Sequence, residues 1–509
     1  MKTSIVAKSC HSIKNKMLLY KYSLCSTWII ALLTYTFSFV HKLPNHDDII
    51  CFFNLSGAGI GNGRWMLNVI DFIMPSYSMP LVNGILSIIL LSVAICYTIK
   101  IFKIENVFLQ ILLSGIIISF QSVVGMMAYT FLNYSYALSF LLSVLAINYV
   151  LKNGWKNYVA GTVMMVVSMG IYQAYWAIGV VFLLCLLIQD TIRENSNIKN
   201  EFPIRSIKYI LFIILTACIY YIINYTIFYF LDLQWGGYAS ERVDNINTHS
   251  FITRLYWAAI NVYSCLRYGI YGFVVTWLSK IIHFILLGCI CCGIIIPLCK
   301  KREWGKIVLS IFLLMLFPIA INVMYIITPI GVHSLTLLPF IGIYILAVVV
   351  TERNLRYIRV YDTILISLIL LLVNNVLIAN KNQMKQYMQY ENAKSFYTGV
   401  MVRIGETKGF DKDTQIALIG KADELVWGLS DFVADGITGI SDGHIMNIHS
   451  RESFIKYFVG FDAPFTDIDE NKKIVDSTEF KSMPVYPYDG SVKKIGNVIV
   501  VKFSDVTDL

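Results

Sequence analysis

Long apolar runs alternate with short polar connections along the chain as far as residue 380. A helix needs roughly 20 mainly apolar residues to cross the hydrocarbon core of a bilayer. The pattern predicts about eleven such helices, at 22–41, 80–99, 107–125, 134–151, 157–170, 172–190, 207–231, 280–299, 305–328, 333–351 and 361–380. The stretch 157–190 fits either two short helices that meet near Gly170 to Gln173 or one long tilted helix.

Residues 381–509 contain no apolar run of that length. A helix is predicted over Gln383 to Ile404, and the stretches 415–420 and 495–503 have the composition of β-strands. We therefore predict a transmembrane domain over 1–380 and a small C-terminal α/β domain over 381–509. No glycine-rich phosphate loop joins a strand to a helix, so the pattern does not support nucleotide binding.

The composition agrees with a polytopic membrane protein and excludes a soluble globular enzyme, because 57% of the residues are hydrophobic and only 14% are charged. Residues 1–380 carry 26 Lys and Arg against 13 Asp and Glu, whereas 381–509 carry 15 against 19. No soluble stretch interleaves basic and aromatic residues, so the positive charge is a topology signal. We interpret the basic N-terminus and the apolar run after it as an uncleaved first span.

The positive-inside rule orients the predicted spans. With the N-terminus in the cytoplasm, the inner segments contain 20 Lys and Arg and the outer segments contain 6. An odd number of spans then places the C-terminal domain on the periplasmic side. The inner connections are short, whereas the outer segments 42–79 and 232–279 are long and include amphipathic stretches. The chemistry is therefore expected at the outer face.

The first outer segment contains Asn45-His46-Asp47-Asp48 directly after the first span. Either aspartate is a candidate catalytic base; the alternative is a solvated pair in a loop. Arg64 and Trp65 follow a glycine-rich turn in the same outer segment, so a cation and an aromatic ring are expected at the same face of the membrane as the two aspartates.

The second outer segment carries Tyr238, Glu241, Arg242, Arg254 and Arg267. Arginine suits phosphate because its planar fork can donate two hydrogen bonds at once. We assign phosphate binding to Arg64, Arg242, Arg254 and Arg267, the alternative for the second segment being an ordinary hydrated loop.

Tyr172 and Gln173 lie in an otherwise apolar stretch near the outer face. Gln173 needs polar partners there, either on a neighbouring helix or in a polar cavity. The residues assigned to substrate binding are His46, Trp65, Tyr172, Gln173, Tyr238 and Glu241. No cluster has metal-ligand spacing, so we expect neither a metal nor a cofactor.

Four short motifs, in this order, resemble the bacterial serotype-converting O-antigen glucosyltransferases, the Gtr type-specific family. They are Asn45-His46-Asp47-Asp48, Gly63-Arg64-Trp65, the stretch 168–174 and the polar stretch 380–387. The resemblance covers about residues 25–405 and implies a GT-C-like inner-membrane enzyme with a periplasmic active site. It implies undecaprenyl-phosphate glucose as donor and lipid-linked O-antigen as acceptor. It also places an acidic residue in the first outer loop, where Asp47 and Asp48 fall, without distinguishing between them.

The expected chemistry is an inverting single displacement. A sugar phosphate already has a good leaving group, so the enzyme needs a base for the acceptor hydroxyl and cations for the phosphate. A flippase and the glucosyltransferase that makes the donor are expected partners. The alternatives are a lipid or oligosaccharide transporter or flippase, an O-antigen polymerase, and transfer of a different sugar to another envelope glycan. The motifs have no second copy, which argues against a transporter built from repeats.

Overall fold

The computed structural model describes residues 20–43, 45–52, 59–75, 77–193, 200–233, 249–269, 276–329, 333–353, 358–422, 436–437, 439–440 and 450–505. Most of these residues are helical. The helices before the last predicted span are α1 Lys21–His41, α2 His46–Ile50, α3 Trp65–Ile73, α4 Pro80–Phe102, α5 Val107–Ser119, α6 Gln121–Ala128, α7 Asn133–Val150, α8 Trp155–Ile171, α9 Trp176–Ile192, α10 Glu201–Phe230, α11 Phe251–Tyr268, α12 Trp277–Lys300, α13 Trp304–Ile321, α14 Val323–Ile327 and α15 Ile341–Arg353.

Within these ranges, 8 helices are long and apolar enough to cross a membrane, or up to 9 if the bent pair α5 and α6 is one span. The pair bends by 44° at Phe120, whose backbone is extended. The predicted spans 134–151 and 157–170 coincide with α7 and α8, but α8 has only 17 residues. The helical membrane architecture is confirmed, and the number eleven stays a prediction.

The stretch 157–190 forms two helices. Helix α8 ends at Ile171, Tyr172 is extended, and a 3-10 turn over Gln173–Tyr175 leads into α9. The two-helix alternative is therefore the correct one. The break matters for function because it places Gln173 at a helix end, where its side chain can reach a loop.

Polar side chains fasten the buried helices to one another. Ser139 and Ser143 on α7 both hydrogen-bond the Ser168 hydroxyl on α8, at 2.9 and 2.8 Å. Small hydroxyl side chains allow close approach of helices and satisfy each other where water is absent. Helix α7 also packs against α4 and α9, so it lies in the interior of the helical domain.

The last predicted span and the predicted helix 383–404 form one continuous helix, α16 Ile358–Glu406, of 49 residues. It runs through the predicted boundary at 380 without a break, and the division into two domains stays a prediction. Asn380 and Gln383 donate side-chain hydrogen bonds to the carbonyls of Leu33 and Thr34 on α1, each at 2.9 Å. These amides fix α16 against the first span.

A three-stranded sheet follows α16, with strands β1 Gln415–Ile419, β2 Val492–Ile495 and β3 Val498–Lys502 in the order β1-β3-β2. Strand β1 is parallel to β3, and β2 is antiparallel to it. The strand predicted over 495–503 is present but starts later, at Val498, because Gly496 has a φ of +59° and turns the chain from β2 into β3. The remaining elements are α17 Arg451–Phe454, a π-helix Ile455–Val459, α18 Ile468–Asp476 and α19 Thr478–Ser482.

The C-terminal region is packed onto the first outer segment. Leu43 and Ile49 share one buried hydrophobic cluster with Tyr390 of α16 and with Phe454 and Ile455. Helix α2 and the C-terminal region therefore lie on the same side of the membrane helices.

Candidate active site

Helix α2 begins at a capping box. The Asn45 side chain accepts a hydrogen bond from the Asp48 amide at 2.9 Å, and the Asp48 carboxylate accepts one from the Asn45 amide at 3.0 Å. Reciprocal bonds of this kind satisfy donors that the first helical turn leaves unpaired. The alternative of a solvated loop is wrong for Asp48, which is fully buried in this helix.

The Asp48 carboxylate joins three segments of the chain. Its Oδ1 accepts from the Thr130 hydroxyl at 2.7 Å, the Phe131 amide at 2.9 Å and the Ser78 hydroxyl at 3.3 Å. Its Oδ2 accepts from the Thr130 amide at 3.1 Å. Burial raises the pKa of Asp48 to about 6, although these hydrogen bonds act in the opposite direction. Asp48 therefore anchors α2 to the turn between α6 and α7.

Asp47 has the opposite environment. Its side chain is 47% exposed, and its Oδ1 lies 3.3 Å from His46 Nε2. A catalytic base must come within hydrogen-bonding distance of the hydroxyl that it deprotonates. Of the two neighbouring aspartates, Asp47 can meet an incoming substrate, whereas Asp48 is occupied by the protein.

Two residues from distant helices hold the glycine-rich turn before Arg64. Gln173 Nε2 donates to the Asn62 carbonyl at 2.6 Å, and the Tyr220 hydroxyl donates to the Gly63 carbonyl at 2.9 Å. Gly63 has a φ of +72°, and a Cβ there would lie 2.8 Å from the Tyr220 oxygen and 2.9 Å from Gln173 Nε2. Glycine is required here both by conformation and by space.

This turn places the Arg64 side chain against two tyrosines, Tyr172 and Tyr136. The guanidinium lies 5.0 Å from the centre of the Tyr172 ring, and its Nη1 donates to the Tyr136 hydroxyl at 3.3 Å. The Tyr136 hydroxyl also interacts electrostatically with Asp47. Arg64 contacts this tyrosine directly, whereas Asp47 and Asp48 act on it only through longer-range electrostatics.

Trp65 is fixed by the same helix break. Its indole ring packs against Gly170, where a Cβ would come within 2.7 Å of the ring carbons. The two predicted motifs at 63–65 and 168–174 are therefore a packed pair. Gln173 and Tyr172 support this loop, so the polar partner of Gln173 is a carbonyl of the turn before Arg64, and the roles of Tyr172, Gln173 and Trp65 in substrate binding stay predictions.

Arg254 and Arg267, the two described arginines of the second outer segment, lie on a different element from the Arg64 turn. Both belong to α11, which packs against α12, α13 and α14. Arg254 Nη1 donates to the Ile326 carbonyl at 2.7 Å, whereas Arg267 Nη1 donates to the Tyr263 hydroxyl at 3.1 Å. Their roles in phosphate binding stay predictions. Tyr238, Glu241 and Arg242 lie outside the described residues.

The structure adds residues that the sequence analysis missed. Thr130 lies in the turn between α6 and α7 and Tyr136 lies in α7, and neither stands out from the apolar residues around it. The spacing of Asn45 and Asp48, by contrast, is that of a capping box and could have predicted a helix start. In the part of the chain that the structure describes, no group of three or more His, Cys, Asp or Glu could hold a metal ion.

One comparison with known families gives a match. The family model for glucosyl transferase GtrII matches residues 36–351, more than half of the chain. The match starts within α1 and ends within α15, so it includes α2, the Arg64 turn and the α8–α9 break. No curated protein and no solved structure matches the chain.

Proposed function

Because the chain belongs to the glucosyl transferase GtrII family, we propose that it moves glucose from undecaprenyl-phosphate glucose to lipid-linked O-antigen. The reaction takes place at the periplasmic face of the bacterial inner membrane. Family membership supports glucosyl transfer in general, and the long apolar helices support a membrane enzyme. The lipid-linked donor and acceptor and the orientation are part of the proposal.

The observation that carries the mechanism is the contrast between the two neighbouring aspartates. Asp48 is buried with every hydrogen bond directed at protein groups, whereas Asp47 is about half exposed. Asp47 is thus the general base. It removes the proton of the acceptor hydroxyl, whose oxygen attacks the anomeric carbon of the donor.

Arg64 stabilises the departing phosphate. The bond between the anomeric carbon and the phosphate oxygen breaks, and both electrons leave with undecaprenyl phosphate. A cation that the protein already holds in place, as Tyr136 and Tyr172 hold Arg64, can stabilise that charge without reorganising. Attack from the face opposite the leaving group inverts the anomeric centre.

An apolar cavity of about 260 Å³ is the proposed binding site for part of the isoprenoid chain of the donor. It lies among α11, α12, α13 and α15, and its lining includes Val262, Tyr263, Leu287, Phe317 and Leu346. Arg267 is exposed and hydrogen-bonds the Tyr263 hydroxyl at the edge of this cavity. A lipid tail in the cavity would bring its anionic head group towards Arg267, which would bind the donor on entry, before its phosphate reaches Arg64.

The test is a transfer assay with purified protein in lipid vesicles, radiolabelled polyprenyl-phosphate glucose and lipid-linked O-antigen. The proposal predicts labelled O-antigen of unchanged chain length. A flippase would move label across the vesicle membrane without forming a glycosidic bond, and a polymerase would lengthen the acceptor. Labelled mannose and galactose donors, run in parallel, decide whether the transferred sugar is glucose.

A further inference from the structure

Two elements of the C-terminal region contact α2 and its flanks, one at each end. The first is a turn formed by Gly436, Ile437, Gly439 and Ile440, which we call the tail turn. The Ile440 amide donates to the Ile437 carbonyl at 3.0 Å. Ile437 and Ile440 are buried in the main hydrophobic core of the membrane helices.

Gly439 seats the tail turn against the start of α2. Its φ is +85°, and a Cβ there would lie 2.9 Å from the Tyr129 ring and 3.3 Å from the Asn45 side-chain nitrogen. Asn45 caps α2, and Tyr129 precedes the residues that hold Asp48. The tail turn therefore touches the scaffold that positions Asp47.

The second element is the π-helix Ile455–Val459, which meets the other end of α2. Phe52 follows α2, and its ring centre lies 5.6 Å from that of Tyr457 and 5.9 Å from that of Phe458. All three rings are partly exposed. Isolated π-helical turns are rare and occur frequently at functional sites.

The tail turn and the π-helix thus contact the two ends of α2, the helix that carries the half-exposed Asp47. An acceptor that reaches Asp47 from water therefore approaches a surface to which the C-terminal region contributes. Sugar rings present apolar C–H faces and hydroxyl edges, and aromatic rings with a polar tip match such a surface. Tyr457 and Phe458 lie beyond residue 351, where the family match ends, which fits selection of the acceptor rather than the shared transfer chemistry.

We propose that Phe52 and Tyr457 form a stacking subsite for the acceptor saccharide near Asp47, supported by Phe458, which itself stacks on Phe454 and Tyr390. The proposal rests on the proposed glucosyl transfer. Within it, Asp47 and Arg64 carry out the reaction, and the rings of the C-terminal region decide which hydroxyl of the acceptor reaches Asp47.

The experiment compares wild-type protein with Tyr457→Ala, Tyr457→Phe and the control Tyr488→Ala. Tyr488 is an exposed tyrosine in the loop before β2. Transfer to acceptor and slow hydrolysis of the donor by water are measured separately. We expect Tyr457→Ala to raise the acceptor KM about tenfold, as loss of a stacked ring predicts. Tyr457→Phe and Tyr488→Ala should keep the wild-type KM, and donor hydrolysis should be the same in all four proteins.

An unchanged acceptor KM in Tyr457→Ala overturns the subsite. If that variant also loses donor hydrolysis, its fold has changed, and hydrogen exchange on the wild-type protein decides instead. Lipid-free O-antigen saccharide should then slow amide exchange over 451–461, and no change there would overturn the proposal. Wild-type protein that binds the saccharide at these residues but transfers no glucose would contradict the proposed function alone.

Discussion

At the scale of single residues, two neighbouring carboxylates have different tasks because of what surrounds them. The sequence identified Asp47 and Asp48 as a pair but could not separate them. Apart from the Asn45 amide, the donors that bind Asp48 come from residues 78, 130 and 131, far away in sequence. Their positions depend on how the membrane helices pack, which no local pattern near Asp48 encodes.

We expect Asp47→Asn to remove activity and Asp48→Asn to remove stability. Asparagine at 47 cannot take up the proton, so turnover should fall by about 100-fold or more at unchanged melting temperature. At 48, each carboxylate oxygen accepts a backbone N–H. Either orientation of an asparagine amide would therefore face its NH₂ towards a donor, at a cost of roughly 1.5–3 kcal/mol.

The measurements are transfer rates at matched protein levels and thermal unfolding followed by tryptophan fluorescence. Asp47→Glu serves as the control that keeps the charge. Full activity in Asp47→Asn would contradict the role of Asp47 as the base, and a normal melting temperature in Asp48→Asn would contradict the role of Asp48 as the anchor of α2.

The raised pKa of Asp48 also predicts a pH dependence of stability. The ordinary pKa is 3.8 and the folded value is about 6, so the folded protein binds a proton that the unfolded chain releases. Between about pH 4 and pH 6 the free energy of unfolding should therefore fall as the pH rises. The Asp48→Asn variant should lack this component. Parallel curves for the two proteins from pH 4 to pH 7 would disagree with the burial of Asp48.

At the scale of elements, the break between α8 and α9 lets Gln173 hydrogen-bond the glycine-rich turn before Arg64. The sequence indicated the glycine-rich turn and left the break as one of two alternatives for 157–190, since glycines and a lone amide stand out in apolar stretches. It did not indicate that the two motifs contact each other. Tyr220, the second residue that holds the turn, is one of many tyrosines in apolar helices and has no distinguishing signal.

Gly63→Ala should therefore impair catalysis more than stability. The added methyl group would push on Gln173 Nε2 and the Tyr220 oxygen and displace Arg64, and a misplacement of about 1 Å can cost about 100-fold in rate. Gly154→Ala is the matched control, because Gly154 also has a positive φ, of +102°, but a Cβ there would meet only Asn157 Nδ2, at an ordinary contact distance of 3.8 Å. Both variants should lose about 1 kcal/mol of stability, and only Gly63→Ala should lose transfer activity.

The two arginines of α11 should respond differently to truncation. Arg267→Ala should raise the KM for the lipid donor roughly tenfold, since a charge-assisted hydrogen bond to phosphate is lost. Arg254→Ala should lower the melting temperature, because it leaves the Ile326 carbonyl without its partner. Equal effects of the two substitutions on donor KM would show that the cavity edge near Arg267 is not the donor site.

At the scale of the whole molecule, the charge pattern predicts an orientation, and the packing links its parts. Helix α2 and the C-terminal region share a hydrophobic cluster, so they must face the same compartment. The sequence separated the C-terminal region from the membrane helices by hydropathy alone. It could not indicate this docking, because the contacts join residues several hundred positions apart.

Cysteine labelling in intact spheroplasts tests the orientation. In a variant without the 11 native cysteines, a membrane-impermeant maleimide should label Tyr488→Cys from outside. It should not label Asn153→Cys, which lies in the predicted inner connection between α7 and α8. The reverse result would place Asp47 in the cytoplasm as well, and would contradict a periplasmic reaction.

The length of the continuous helix α16 determines how far the C-terminal region lies from the membrane. Its 49 residues extend about 74 Å at 1.5 Å per residue, whereas a bilayer with its head groups is roughly 40–45 Å thick. Roughly 30 Å therefore projects beyond the membrane and carries the stripe Tyr390, Ala393, Tyr397 and Val400 that meets Phe454 and the sheet. One added residue would rotate this stripe by about 100° and turn it away from α2. The distance and the angle between the lipid surface and the acceptor are thus set together by the length of a single helix.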